Sequence, residues 1–307
     1  MTGSAVPAPQ QAKADSLSPL ISVVVTRGEH DRFLQEALDS IGSPVVAIEK
    51  VVVDDPCAHD RGTAAARNRG LRECHGEFVV FLHSDDRLAP RALQLGAAKL
   101  EEHPEAAFVF GRCLPMDVDG TLIPAEVRPR IVQDHYRELL RRNYIPTATM
   151  VMFRRDALQR AQGFNEILAA SSDYDLYLHI ARHHPVHDHG QVVAFRRTLP
   201  APTRESSARL LRETLEVLRS QRPFLEADDA SLAAYAEGWT MCQELYGSQL
   251  VDEIRDGVRN GDWLSALRNT ATLGRHHPRG LWHHARRWTR LPHRYSGRAD
   301  ARLGVRS

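Results

Sequence analysis

The chain has 307 residues, 42% of them hydrophobic, with 40 Lys plus Arg set against 39 Asp plus Glu. A chain of this length can bury the core of one large domain or two ordinary ones, and its balanced charge gives no electrostatic case for nucleic-acid partners. Four widely spaced cysteines (Cys57, Cys74, Cys113, Cys242) form no CxxC pair, no secretory signal is evident, and no apolar run approaches the ~18 residues that cross a bilayer, so a cytoplasmic, disulfide-free protein without a structural zinc site is expected.

Residues 1–19 are rich in Ala, Pro, Ser and Gln, lack an apolar core, and read as a disordered leader. The run 20–26 (LISVVVT) is a predicted buried strand. Phe33, Leu34, Ala37, Leu38 and Ile41 then recur at helical spacing until Gly42-Ser43-Pro44 ends the helix. A second buried strand over 48–53 ends in two acids, Asp54 and Asp55. Continuous rather than alternating apolar runs separated by helices are the mark of a parallel sheet covered on both faces. Residues 61–71 open a short helix with a small, Ala-rich face; on it Arg67 and Arg69 either reach a phosphate or base or are ordinary solvated arginines.

The next strand, 78–82 (FVVFL), runs into His83-Ser84-Asp85-Asp86. In open α/β sheets ligands bind beyond the carboxyl ends of the strands, where Asp85 and Asp86 would sit. Paired carboxylates there suit a hard divalent cation that keeps positions open for phosphate oxygens, and the alternative is a solvated acidic turn. An amphipathic helix is predicted over 91–102 and a strand over 106–110. After these come a tight turn at Asp117-Val118-Asp119-Gly120, a helix over 132–142, a strand over 147–153 and a short helix over 156–162 stopped by Gly163. Ser172 is predicted to cap a helix that carries Asp173 in its first turn, where the helix dipole favours a carboxylate, whether as a functional group or as a plain capping acid. The histidine-rich stretch 183–189 (HHPVHDH) fits no zinc spacing and reads as a polar loop, with one histidine serving as a metal ligand as the minor alternative. A strand over 191–197 follows. Beyond Thr203 only helices are predicted, over 206–219, 230–246, 251–260 and 262–273, and the segment 275–307 carries nine Arg and one acid, Asp300.

Four pieces in this order and spacing, VVVT, VVVDD, ARNRGLRECHGEFVVFLHSDDRLAP and GFNEILAASSDYDLYLHIA, resemble a family 2 glycosyltransferase from about Ile21 to Thr198. The resemblance implies an α/β GT-A fold, Rossmann-like, with a mostly parallel central sheet and helices on both faces; the C-terminal helical extension from about Thr203 lies outside the resemblance. The implied division is a leader (1–19), the glycosyltransferase domain (20–200), a helical extension (201–274) and a basic, Trp-containing tail (275–307). It also implies sugar transfer with inversion from a nucleotide-sugar donor, a UDP-sugar, to an acceptor hydroxyl on a glycan, a lipid-linked or a small molecule. Carried over by position, Thr26, Asp55, Arg67 and Asp85 would bind the nucleotide sugar. Asp86, with Asp85, would hold Mg²⁺ or Mn²⁺, and Asp173 would be the general base.

The chain departs from the family at four places. His83 stands where an acid is usual, and its reading from sequence is a strand-end side chain facing solvent. No aromatic residue follows Thr26, the connection between Asp55 and Ala64 is short, and Thr198 replaces a histidine. The non-catalytic alternative is a binding or scaffold protein with a degenerate donor site. Arginines interleaved with Trp282 and Trp288 in the tail would suit peripheral contact with the inner face of a membrane, and a solvated tail or a subunit contact is the other reading.

Overall fold

The computed structural model describes residues 21–28, 31–43, 46–55, 62–125, 130–131, 133–199, 206–225 and 228–278. The leader, the connection 56–61 and the tail from 279 onward, with Trp282 and Trp288, lie outside the described residues, and so does the membrane contact expected of that tail.

The apolar run that opens the chain becomes strand β1 (Ile21–Arg27), whose first six residues are all buried. It lies between β2 (Ile48–Asp54) and β3 (Phe78–His83), parallel to both. Helix α1 (Leu34–Ser40), preceded by a 3-10 turn at Asp31–Phe33, connects β1 to β2, and α2 (Gly62–Glu73) connects β2 to β3. The small face of α2 has a steric purpose: a Cβ on Gly70 would sit 2.3 Å from Val24 Cγ1, so the helix lies directly on β1. Strand β2 differs from expectation. It is an edge strand on which Val51 and Val53 are buried and Val52 is exposed, because only one of its faces is covered.

The rest of the sheet is mixed. Strand β6 (Val151–Arg154) pairs antiparallel with both β3 and β5 (Phe108–Met116); β5 runs parallel to β7 (Val186–Arg197); and the two-residue β4 (Arg87–Leu88) closes the far edge. The order is β2-β1-β3-β6-β5-β7-β4. Between these strands lie α3 (Ala92–Glu102), α4 (His135–Arg141), α5 (Arg155–Arg160) and α6 (Ser172–Ala181). Fully buried aromatics weld the helices to the sheet, with Phe81 edge-on to Phe164 at 4.9 Å and Tyr177 of α6 stacked on Phe153 at 6.3 Å.

Several local expectations are corrected by tertiary structure. The helix expected over 132–142 begins only at His135, because Asp134 takes a left-handed conformation and accepts a hydrogen bond from Arg137 N. The strand expected from 147 begins at Val151, after a 3-10 turn at Ala148–Met150 capped by Thr147. The histidine-rich stretch is not a loop from Val186 onward: it is the first half of β7, with Val109 of β5 opposite His187. The cap of α6 is Ser171, not Ser172, and its hydroxyl bonds Thr214 rather than the helix.

Beyond the sheet, α7 (Ser207–Gln221), α8 (Asp229–Arg259) and α9 (Trp263–His276) share one hydrophobic cluster with it. Two helices were expected where the single 31-residue α8 runs. Gly247 disfavours the helix by only ~1 kcal/mol, and burial of Leu250 and Val251 just after it offsets that. Cys74, Cys113 and Cys242 are free thiols. Among the described residues no helix is long and apolar enough to cross a membrane.

Gly238 of α8 lies where a Cβ would be 1.9 Å from the Leu140 carbonyl oxygen, so α8 touches the end of α4 with bare backbone. Gly238→Ala is expected to lower the unfolding free energy in urea by ~1–3 kcal/mol, the range for overpacking. Gly247→Ala is expected to be far milder, because its Cβ would press only on side chains, the His277 ring at 3.0 Å, which can turn aside, and Leu273 Cδ1 at 3.6 Å.

Candidate active site

Strands β1 and β3 end side by side, with Thr26 level with His83 on one neighbour and Val53 on the other. Backbone hydrogen bonds carry the pairing past the strand ends: Ser84 N donates to Thr26 O at 3.0 Å and Asp55 N to Arg27 O at 2.9 Å. The two acidic segments are therefore held level at the carboxyl edge of the sheet. Thr26 and Asp55 are buried, and Asp55 accepts a 2.8 Å hydrogen bond from Thr63 in the first turn of α2.

The adjacent acids are unequal. Asp86 is only 4% exposed; its Oδ2 accepts from Thr149 Oγ1 at 3.2 Å and its Oδ1 from Arg197 N at 3.1 Å. Burial, then the neighbouring charge of Asp85, pushes the Asp86 carboxyl up to about 6, outweighing the lowering effects of His83 and the Arg197 amide. Asp85 is more accessible, and its Oδ1 lies 2.7 Å from His83 Nδ1. His83 is thus not a bare solvent-facing side chain: it turns back onto the acid two residues on. Burial alone would lower the imidazole, but the hydrogen bond it gives to Asp85 and the charges of Asp85 and Asp86 together raise it.

Arg67 of α2 and Asp173 of α6, 106 residues apart, form an ion pair. The other carboxylate oxygen of Asp173 accepts from Ala148 N at 3.2 Å. The Arg67 guanidinium lies 5.2 Å over the Phe164 ring, and its Nε is buried with no hydrogen-bond partner among the described residues. A buried donor left unpaired costs ~1–3 kcal/mol, and an incoming anion would relieve that cost. Among the residues singled out from sequence, contacts therefore join Arg67 to Asp173, and the backbone pairing sets Thr26, Asp55 and the Asp85-Asp86 pair on one edge. Arg69 instead donates to the Asp54 carbonyl at 2.7 Å and braces β2.

Three supporting residues carry no sequence signal of their own. Arg197, with its side chain 1% exposed, holds the carbonyl of Asp85 at 3.0 Å, the carbonyls of Asp117 and Val118, and Glu36 Oε2 at 2.6 Å, while lying 4.0 Å over Phe33. Thr149 anchors Asp86 from the 3-10 turn. Asn68, next to Arg67, exchanges 2.8 Å hydrogen bonds with the backbone N–H and carbonyl of Phe164 and donates to Glu166, tying α2 to the loop before α6. The only cue to these roles was position: Asn68 lies inside ARNRGL, and Arg197 in a terminal FRRT segment.

Residues 23–161 match glycosyl transferase family 2. The O-antigen biosynthesis protein RfbC of Myxococcus xanthus is 29% identical over 203 residues, which cover 57% of this chain and 16% of that protein. Chondroitin synthase of Escherichia coli is 24% identical over 209 residues, 59% of this chain and 29% of that protein, so the chain spans well under half of either relative. The solved structure of S. aureus TarS 1–349 in complex with UDP-GlcNAc superposes with a TM-score of 0.54 at 19% identity, over 71% of each chain. At that identity the likeness is one of fold.

The Asp86 carboxyl sets a pH dependence that can be measured on the metal-free protein. With a folded value of about 6 against ~3.9 unfolded, the folded chain binds the extra proton, so stability falls as pH rises from ~4 to ~6 and the penalty is complete above that window. Asp86→Asn is expected to raise the thermal midpoint at pH 8 and leave it nearly unchanged at pH 4, as read by calorimetry. A midpoint at pH 8 below that of the unsubstituted protein would mean that the ionised carboxylate is already fully compensated.

Proposed function

The chain carries a family 2 glycosyltransferase domain of the GT-A fold, and from that premise we propose that it transfers a sugar, with inversion, from a nucleoside-diphosphate sugar to an acceptor hydroxyl. The observation that carries this reading is the Arg67–Asp173 pair. It sets a carboxylate beside a buried guanidinium N–H with no hydrogen-bond partner among the described residues, against the turn at Ala148–Met150 whose Thr149 anchors Asp86.

Each residue has a physical role in such a transfer. Thr26 and Asp55 line the base end of the donor pocket, with Asp55 as the hydrogen-bond acceptor for a nucleobase N–H. Arg67 offers its unpaired Nε–H to the diphosphate. Asp173 accepts the proton of the acceptor hydroxyl as that oxygen attacks the anomeric carbon, and a hydroxyl without such a base is a poor nucleophile. One base and an in-line displacement give inversion with no covalent intermediate. The Ala148 amide and Arg67 hold the Asp173 carboxylate from two directions, so its orientation is set before substrate arrives. The binding of UDP-GlcNAc by TarS, which shares the fold, supports a uridine donor here.

The donor set at Asp85 and Asp86 fits a divalent cation. Two adjacent carboxylates sit in a desolvated place, with one of them raised to about 6 by that burial and by its neighbour, and His83 lies within hydrogen-bonding reach of Asp85. Mg²⁺ or Mn²⁺ bound there would neutralise charge growing on the leaving diphosphate. Asp85 presents the more accessible oxygens, and Asp86 has two of its roughly four acceptor positions occupied by Thr149 and Arg197. His83 would share Asp85 with such a cation, its imidazole bonded to one carboxylate oxygen.

Calorimetric titration with UDP is expected to show binding that strengthens at least about tenfold when Mn²⁺ is present, and metal-independent or undetectable nucleotide binding would sink the proposal. Asp173→Asn is expected to reduce transfer by ~10²–10⁴, the usual contribution of a general base, while leaving the donor dissociation constant within about threefold. A variant that keeps its turnover would mean that another group takes the proton.

A further inference from the structure

Far from the donor site, three potential metal ligands converge. His103 caps α3, Glu105 lies in the turn that leads into β5, and His187 is the second residue of β7. Glu105 Oε1 is 3.2 Å from His103 Nδ1 and 3.2 Å from His187 Nε2; the two imidazoles stack face to face with centroids 4.0 Å apart; and the three ligand atoms all lie within 4.8 Å of one another. All three side chains are partly exposed, so an ion could enter from solvent.

The backbone under these groups is fixed. Ala106 N closes the turn on His103 O at 3.0 Å. Arg154 of β6 clamps it by donating to Leu100 O at 2.5 Å and to Ala106 O at 2.9 Å. On the other side, Ala107 N donates to Pro185 O at 3.0 Å, and Val109 lies opposite His187 in the parallel ladder. Three donors whose main chains are locked together are preorganised, which is the requirement for a metal site rather than a chance surface cluster.

The spacing also fits a particular ion. Ligands at ~2.0–2.1 Å from a tetrahedral centre lie ~3.3 Å from each other, close to the two 3.2 Å separations already present. Two imidazoles and one carboxylate are the nitrogen–oxygen set of a borderline transition ion, and they leave a fourth position for water. Hard Mg²⁺ or Mn²⁺ would prefer the all-oxygen acids near Asp85.

We propose that His103, Glu105 and His187 form a binding site for one Zn²⁺-class divalent ion, which clips the α3–β5 turn to the start of β7. The site is separate from the donor pocket. His187 and Arg197 pair with Val109 and Met116, seven residues apart on β5, roughly 23 Å along the ladder. Its role is to stiffen the β5–β7 half of the sheet, and no step of sugar transfer runs through it.

Titration of the full, metal-free chain with ZnCl₂, paired with the visible spectrum of the Co²⁺-loaded protein, tests this. Many other histidines are present, 16 in all, so single-site variants decide the outcome. Beyond whatever ion the Asp85-Asp86 acids take, one ion per chain is expected to bind with an affinity that falls at least about tenfold in His187→Ala and in His103→Ala, since even second-sphere changes cost 10–100-fold. That affinity is expected to be unchanged in Asp86→Asn and in the His283→Ala/His284→Ala double variant. Both imidazoles are about one-third exposed, so their removal is expected to leave the metal-free circular dichroism intact; Glu105→Gln, which keeps the side chain's size, serves as a third ligand variant with the same expected loss. Wild-type-like affinity in either histidine variant, or a loss that follows Asp86→Asn or the tail variant instead, overturns the assignment.

Discussion

A carboxylate shut inside a protein has to be compensated, and the compensation of Asp86 ties together much of this chain. Its two oxygens take hydrogen bonds from Thr149, on the turn that begins β6, and from the amide of Arg197, at the end of β7. The Arg197 side chain then reaches back to the Asp85 carbonyl, to the turn at Asp117 and Val118, and to Glu36 in the first turn of α1. Strand ends that are far apart in sequence thus meet around one buried charge. Burial, with the neighbouring Asp85 charge, still leaves that charge incompletely compensated, and its carboxyl rises to about 6.

Helix α6, which carries Asp173, is positioned from two sides. Asn68 fastens α2 to the loop at Phe164, which fixes where Arg67 meets Asp173. From the other side the helical extension reaches in: Glu213 of α7 accepts from Ala170 N at 2.7 Å, and Thr214 shares a hydrogen bond with Ser171, the cap of α6. The extension is therefore part of the structure that aims Asp173, and it shares the sheet's hydrophobic cluster. Tyr174 adds a third tether, donating to the Leu139 carbonyl of α4 at 2.6 Å, and α4 is in turn held against α8 at Gly238.

How far this could be read from the amino-acid order depends on the kind of interaction. Central strands such as β1 and β3 were legible because each is a short, continuous apolar run that stops abruptly at polar residues, and the acids at 55, 85 and 86 were placed by those stops. β2 was legible as a strand but not as an edge, since covering one face or both is decided by neighbours distant in the chain. The antiparallel entry of β6 between β3 and β5 left no local trace either. Arg197 was the least legible of the site residues: an arginine at a strand end is normally solvated, and most of its partners are backbone carbonyls, which every residue type carries.

The histidine-rich stretch shows the same limit in its sharpest form. Pro185 and the repeated polar residues point to a loop as long as the chain is read by itself, and the stretch becomes strand from Val186 because β5 supplies a partner. Pairing then imposes a period of two, which puts His187 and His189 on one face and Asp188 on the other. His189 is buried, while His187 stands at the rim where α3 ends and meets His103 and Glu105. Ligand spacing in sequence could not have revealed that meeting, because His103 and His187 are 84 positions apart and it is the β5–β7 register that closes the gap. The same ladder, followed to its other end, delivers the Arg197 amide to Asp86. One strand thus holds an imidazole at one rim of the sheet and a buried carboxylate at the other, and the register shifts between Phe110 and Cys113 set the alignment of the second half apart from that of the first.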